Sequence, residues 1–148
     1  GVTCEQPVSL MDIYPTLVDL TGFEKPAHLD GNSLVPQIED PNTVTSPVIT
    51  SYRFTYPEQR LIGHAVRSMR YRYIYYPEIN LEELYDHEID PNEWDNIAYR
   101  RGNEGIIEEH RKVLLDMLPQ LTWKDGPPDG YTIDEDGNVH KDAFESYD

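Results

Sequence analysis

The sequence predicts an α+β fold: a small antiparallel β-sheet of about four strands packed against a C-terminal helix, preceded by a further helical segment. Three observations carry that prediction. Between Val48 and His87, β-prone runs alternate with short turn-forming stretches. Residues 103–118 then repeat apolar side chains at helical spacing, with charge mostly on the other side. Near the N-terminus, PVSLMDIYPTLVDLTG reads as a short strand end followed by a helix that stops at a glycine. The expected organisation is a helical segment over 1–47, a sheet-plus-helix unit over 48–121 and an acidic tail over 122–148.

Composition bounds the function classes. The chain has 148 residues, enough to bury a core, but only 38% are hydrophobic and 11 are tyrosines. A tyrosine hydroxyl must reach water or a partner, so such a core is thin and borders polar surface. A formal net charge of −16 argues against nucleic-acid binding, since a polyanion is repelled. No apolar run reaches the 18 or so residues a membrane helix needs, so no membrane partner is expected. GVTCEQPVSL lacks the basic-then-apolar pattern of a secretory signal, which leaves the compartment open. The single cysteine, Cys4, cannot form an intrachain disulfide.

In chain order, Pro15 fixes the first helix. Proline is tolerated only in the first turn, so Asp12 is the expected N-cap and Ser9 the rival. Ile13, Leu17 and Leu20 then share a face with Val18 beside them, and Gly22 suits the left-handed position that closes a helix. Asp30-Gly31 marks a turn, and Ser33 can cap a short helix through Ile38 with Pro36 in its first turn. His28 beside Asp30 is read as solvated surface rather than a metal ligand.

Val48 to Tyr52 is expected as a short strand and Arg53 to Arg60, containing Tyr56-Pro57, as an irregular loop. Ile62 to Ser68 alternates like a strand, with His64 and Val66 on one face and Ala65 and Arg67 on the other. A turn at Met69-Arg70 leads into Tyr71–Tyr76, and Glu83–His87 forms the next strand. Asp90-Pro91 sets a turn closed by Trp94 and Asn96. There Glu93 and Asn96 are expected to bond free backbone groups, while Leu84 and Ile97 anchor the core. Over 103–118, Ile106, Ile107, His110, Val113, Leu114, Met117 and Leu118 form the apolar face, with Asn103 as N-cap and Pro119 as terminator. The tail suggests a hairpin around Asp136-Gly137. Its Asp134–Asn138 run lacks the glycine position and distal glutamate of a calcium loop, so no metal is assigned to it.

Residues 53–72 hold five arginines (53, 60, 67, 70 and 72) against one acid, Glu58. Two readings stay open: internal ion pairs, or a basic patch facing an anionic ligand. No G-x-S-x-G, P-loop, H-E-x-x-H or zinc-spaced Cys/His set is present, so the chain carries no catalytic residue of its own.

The motifs themselves say more. Arg67-Ser68, then RYRYIYY, then Glu83-Leu84-Tyr85-Asp86, then Asp90-Pro91-Asn92-Glu93-Trp94-Asp95-Asn96-Ile97-Ala98, resemble in order and spacing the C-terminal subdomain of the type I sulfatases of the alkaline phosphatase superfamily. VSLMDIYPTLVDLTG and Leu29-Asp30-Gly31-Asn32-Ser33-Leu34-Val35-Pro36 fit the same pattern, which covers roughly residues 5–120. The style is nearest the iduronate-sulfatase-like and choline-sulfatase-like branches.

The resemblance implies that 1–47 is the edge of a larger α/β sulfatase domain and that the rest of the enzyme, an N-terminal catalytic part, is its partner. It implies hydrolysis of sulfate esters, with a carbohydrate the favoured substrate, in a periplasmic, secreted or lysosome-like compartment. It also implies calcium and a formylglycine, neither carried here. Cys4 sits in Cys-Glu-Gln-Pro without the family's C-x-P-x-R spacing, and Asp95-Asn96 lacks the glycine that follows the family's metal pair. This chain alone is then expected to be inactive. The small subdomain of such enzymes borders the cleft, so Arg53, Arg60, His64 and Arg67 are the candidate contacts to an anionic sulfated substrate, with Tyr56 in the same stretch. A phosphonate monoester or phosphodiester hydrolase of the same superfamily, or a non-catalytic accessory module, are the alternatives.

Overall fold

A computed structural model of the chain describes residues 1–55 and 58–142. It divides into two compact units, Gly1–Val48 and Ile49 onward.

In the first unit a 3-10 turn, Leu10–Asp12, leads into α1, Ile13–Thr21. Asp12 stands at the N-cap position of α1 as expected, but its side chain makes no cap bond to that helix. Ser9 caps the 3-10 turn, and Asp12 Oδ2 accepts from Ser9 N at 2.8 Å, a reciprocal capping box. Pro15 therefore lies at the third position of α1, where its missing N–H costs no helical bond. Gly22 closes α1 at φ 71°. No strand precedes the turn.

The Leu29–Pro36 string is pinned to this helix. Asp12, buried, also accepts from Asn32 N at 2.9 Å through Oδ1, and Thr16 Oγ1 accepts from Leu34 N at 2.8 Å. Gly31 is there because the chain passes too close for a side chain: a Cβ would sit 2.1 Å from the Met11 carbonyl oxygen. A short helix α2, Val35–Glu39, follows with Pro36 in its first turn. The apolar stripe of α1 differs from expectation. Pro15, Thr16 and Val18 are buried, whereas Ile13, Leu17 and Leu20 are exposed.

The second unit holds β1 (Val48–Thr55, entering it at Ile49), β2 (Arg60–Arg67), β3 (Tyr71–Tyr76) and β4 (Leu81–Asp86), side by side in chain order. β2 pairs antiparallel with β3, and β3 with β4. Arg53 and Arg60 thus lie in strands, not in the irregular loop expected between them. Tyr52 and Phe54 alternate inward and extend β1, and only a short connection remains. Tyr56 falls outside the described residues. β4 also begins two residues earlier than expected.

One face packs on α3, Glu104–Met117, through Val66, Tyr73, Tyr75 and Leu84 against Ile107 and Leu114. Asn103 precedes the helix as expected, though its side chain donates to Ile97 O at 2.8 Å instead of capping. Met117, placed on the apolar face, is exposed. The other face carries a second core of Ala65, Ile74, Tyr76 and Leu81, covered by Tyr52, Phe54, Tyr85, Tyr99 and the hairpin β5 (Tyr131–Ile133) and β6 (Val139–Lys141). Both faces are therefore clothed, not one. Covering them is what allows tyrosine-rich strands to stay buried: Tyr73 hydroxyl donates to Glu82, and the Tyr52 and Tyr76 hydroxyls bond each other at 2.9 Å.

The turn after β4 works through Asn96. Its Oδ1 accepts from Leu84 N and Ala98 N, each at 3.0 Å, and its amide donates to Glu82 O at 3.1 Å. β4 is the outermost strand, so these bonds satisfy backbone groups that no further strand reaches. Ile97 N adds a bond to Leu84 O at 2.9 Å. Glu93 departs from expectation: its carboxylate holds Arg72 and His87, each at 2.7 Å, rather than backbone. Trp94 closes nothing and is 85% exposed.

Candidate functional site

The basic stretch is largely consumed by pairs within the second unit. Arg70 forms a two-pronged bond with Asp86 and reaches Glu88 at 3.0 Å. That bond holds the Asp86 carboxyl below the usual carboxylate range. Arg72 binds Glu93. Arg67, one of the expected substrate contacts, donates to Ser68 O at 2.7 Å and Tyr71 O at 3.2 Å, tying the β2–β3 turn. It lies opposite Arg72 in the sheet register, with Glu93 the compensating charge for both.

Arg53 and Arg60 differ. Both are exposed, and neither has an ion-pair partner among the described residues. Strand alternation puts Arg53 and Ser51 on the face of β1 that holds Ile49, and Arg60 and His64 on the face of β2 that holds Val66. Ile49 and Val66 both pack toward α3, so Arg53, Arg60 and His64 share one face while Arg67 takes the other. Direct contact supports the arrangement: Ser51 Oγ lies 2.8 Å from His64 Nδ1.

His64 is half-buried, and burial lowers its pKa below the ordinary imidazole value, against the opposing pull of Glu78. At neutral pH it is therefore a neutral hydrogen-bonding group, and the arginines are the cations of this edge. Glu78 is also structural, since its Oε2 accepts from Ile62 N at 3.1 Å. Ser51 and Glu78 were not singled out in the sequence. Their roles follow from strand register, which a hydrophobic pattern does not supply where the β1–β2 connection reads as a long loop.

Neither the calcium nor the formylglycine of the resemblance fits residues here. Cys4 Sγ points to the Pro41 carbonyl at 3.3 Å. Asp95 is clamped by Arg100 through two bonds of 2.6 Å, and every polar atom of the Asn96 amide faces backbone. Among the described residues no group of three His, Cys, Asp or Glu is arranged to hold a metal ion.

Known proteins share the sequence and the fold of this chain. A Δ4,5-hexuronate-2-O-sulfatase of Bacteroides thetaiotaomicron is 37% identical over 110 residues, covering 73% of this chain and 23% of the relative. The structure of a 2-O GAG sulfatase superposes with a TM-score of 0.64 at 31% identity, over 80% of this chain and 29% of that one. A phosphonate monoester hydrolase of Agrobacterium radiobacter shares the fold, with a TM-score of 0.58 at 22% identity over 89% of this chain and 28% of that one. The chain thus spans about a quarter of the length of the relatives it matches. The model of the C-terminal region of N-sulphoglucosamine sulphohydrolase matches residues 1–120, which takes in the first unit, the four-stranded sheet, the Asn96 turn and α3. The chain belongs to this family of sulfatase C-terminal domains.

Proposed function

We propose that this chain is the C-terminal portion of a sulfatase that hydrolyses sulfate esters of a carbohydrate, and that it supports the cleft while the formylglycine and calcium belong to an N-terminal catalytic part. The observation that carries this reading is the family match across both units, strengthened by 37% identity to a sulfatase of sulfated hexuronate. The first unit is the edge of the large α/β domain. Leu10, Met11, Ile13, Tyr14, Leu17 and Leu20 leave an apolar face open to solvent, and such a face needs cover. The occupant is the catalytic part of the same enzyme, because the relative is about four times longer than the matched region.

Arg53 and Arg60 supply charge to a sulfate or carboxylate of the sugar, and His64 offers a neutral imidazole to a hydroxyl. Arg67 keeps its structural bonds and drops out of this set.

The test uses the full-length enzyme with three probes: 4-nitrophenyl sulfate, a sulfated disaccharide and a phosphonate monoester. Faster turnover of the phosphonate than of either sulfate ester would overturn the sulfatase reading. Removing a hydrogen bond to a charged group weakens contact by about 1.5–3 kcal/mol, so Arg53→Ala or Arg60→Ala raises KM for the disaccharide roughly ten- to a hundredfold. Turnover of 4-nitrophenyl sulfate, which lacks the sugar, stays within about twofold of the parent. An unchanged disaccharide KM in Arg53→Ala, Arg60→Ala and His64→Ala together ends the proposal for this edge.

A further inference from the structure

The segment beyond the family match, residues 122–142, reaches back onto the sheet at one place above all. Asn80 and Lys124 exchange two hydrogen bonds: Lys124 N donates to Asn80 Oδ1 at 3.0 Å, and Asn80 Nδ2 donates to Lys124 O at 3.1 Å. Asn80 is buried and sits at φ 53°, a left-handed conformation that few side chains other than asparagine tolerate. The neighbouring residues of the segment add to the grip. Tyr75 hydroxyl donates to Thr122 O at 2.6 Å, and its ring stacks on Trp123 at 4.8 Å. Asp129 N donates to Ile79 O at 2.8 Å. Further along, Gly137 lies against the Tyr99 carbonyl so closely that a Cβ would come within 2.6 Å, and Arg100 bonds Asn138 at 2.9 Å.

The two things held here both lead to His64. Tyr75 is its cross-strand partner in the β2–β3 register. The Glu78-Ile79-Asn80 turn carries the carboxylate that accepts from Ile62 N, two residues from His64 on the same strand. We propose that residues 122–142 form a strap, with Asn80 as its latch, that positions the His64 edge through Tyr75 and Glu78. This rests on the reading of that edge as the substrate-facing one. Asn80 is a positioning residue: it touches no substrate, and its amide couples a segment outside the family match to the edge.

The experiment compares Asn80→Gly, Asn80→Asp, Lys124→Ala and His64→Ala in the full-length enzyme. Glycine accepts the positive φ without strain and removes only the amide. Two readouts are taken: amide hydrogen exchange by mass spectrometry, and KM against kcat on a sulfated disaccharide. Asn80→Gly speeds exchange in the peptide around Ile62 about tenfold, leaves α3 unchanged, and raises KM roughly three- to tenfold with kcat within about twofold. Asn80→Asp lies between, since its carboxylate still accepts from Lys124 N. Lys124→Ala stays within about twofold of the parent, because its backbone alone joins the latch and its ammonium pairs only with exposed Asp129 within the strap. Unchanged exchange around Ile62 overturns the strap, as does equal acceleration in α3, which would make Asn80 a general fold contact. A raised KM in His64→Ala beside an unchanged KM in Asn80→Gly also overturns it while leaving the substrate reading intact. If His64→Ala leaves KM unchanged, His64 makes no substrate contact, the arginines alone carry the substrate reading, and exchange alone decides the strap: faster exchange supports it, unchanged exchange overturns it.

Discussion

Replacing Asn96 by alanine is the sharpest test of how the subdomain is held together. β4 is the outer strand of the sheet, and its Leu84 is fully buried at 0% exposure. Asn96 gives that strand what a fifth strand would: an acceptor for Leu84 N, a donor for Glu82 O, and an acceptor for Ala98 N that closes its own turn. Alanine strands two donors and one acceptor. At about 1 kcal/mol for each bond the loss reaches about 3 kcal/mol, and partial access of water to the half-buried turn lowers this to about 2 kcal/mol. Asn96→Asp separates the terms, because a carboxylate keeps both acceptor bonds but faces Glu82 O without a proton. It should lose about 1 kcal/mol, and Asn92→Ala, in the exposed part of the same turn, less than about 0.5 kcal/mol. Urea unfolding of the 148-residue chain, followed by tryptophan fluorescence and far-UV circular dichroism, measures all three. A loss below about 1 kcal/mol in Asn96→Ala, or none in Asn96→Asp, would refute the edge-strand role.

Two further predictions concern charge and packing. Asp86 is held below its ordinary pKa by Arg70, so its contribution to stability is present above the unfolded carboxylate pKa of about 4 and is lost as pH falls through the lower folded value. Arg70→Ala should therefore destabilise at pH 7, with the gap to the parent narrowing as pH falls below the unfolded carboxylate pKa of about 4, and a constant difference across a pH series of urea midpoints would contradict it. Gly63→Ala places a Cβ 2.4 Å from the Tyr52 ring, which is fixed by the Tyr76 hydroxyl, and should cost about 1–3 kcal/mol. Tyr52→Val made in the same chain should recover part of that loss; a double variant no better than the sum of the singles would place the strain elsewhere.

How much could be read from the residues depended on which force decided each element. β3 was legible because YRYIYY is β-prone over its whole length and proline ends it. α3 was legible because its apolar spacing, Asn103 and Pro119 agree. β1 and β2 were shortened because RFTYPEQR is polar and holds a proline, signals that weigh against a strand. What outweighs them is aromatic packing: Tyr52 and Phe54 stack at 5.8 Å, and both meet Tyr76, more than twenty residues on, edge-on. The second core was hidden for the same reason. Its cover comes from Tyr99, Tyr131 and Val139, and the tail containing the last two reads by composition as turn-rich and acidic. At the candidate edge, Arg53, Arg60 and His64 were legible as residues, but their shared face was not, because it depends on the β1–β2 connection.

Net charge is a poor guide to what an anion meets at this surface. The chain carries −16, yet fields from exposed charges fade over a Debye length of about 8 Å at physiological salt. What matters locally is which arginines are still free to bond. Of the five that crowd residues 53–72, Arg70 and Arg72 are neutralised by carboxylates brought in from β4 and the turn after it, and Arg67 is spent on backbone carbonyls. The sheet register makes these assignments: it sets Arg67 opposite Arg72, and Tyr71 opposite Asp86, within reach of Arg70. The register therefore sorts a basic run into a structural half at the β2–β3 turn and a half at the other end of β2 that has no ion pair among the described residues. An acidic chain can present an anion-binding edge in this way, provided that the edge is held rigid and its arginines are left without partners. Among the described residues Arg53 and Arg60 have no ion-pair partner, and the contacts of Tyr75 and Glu78 tie down the strand beside His64.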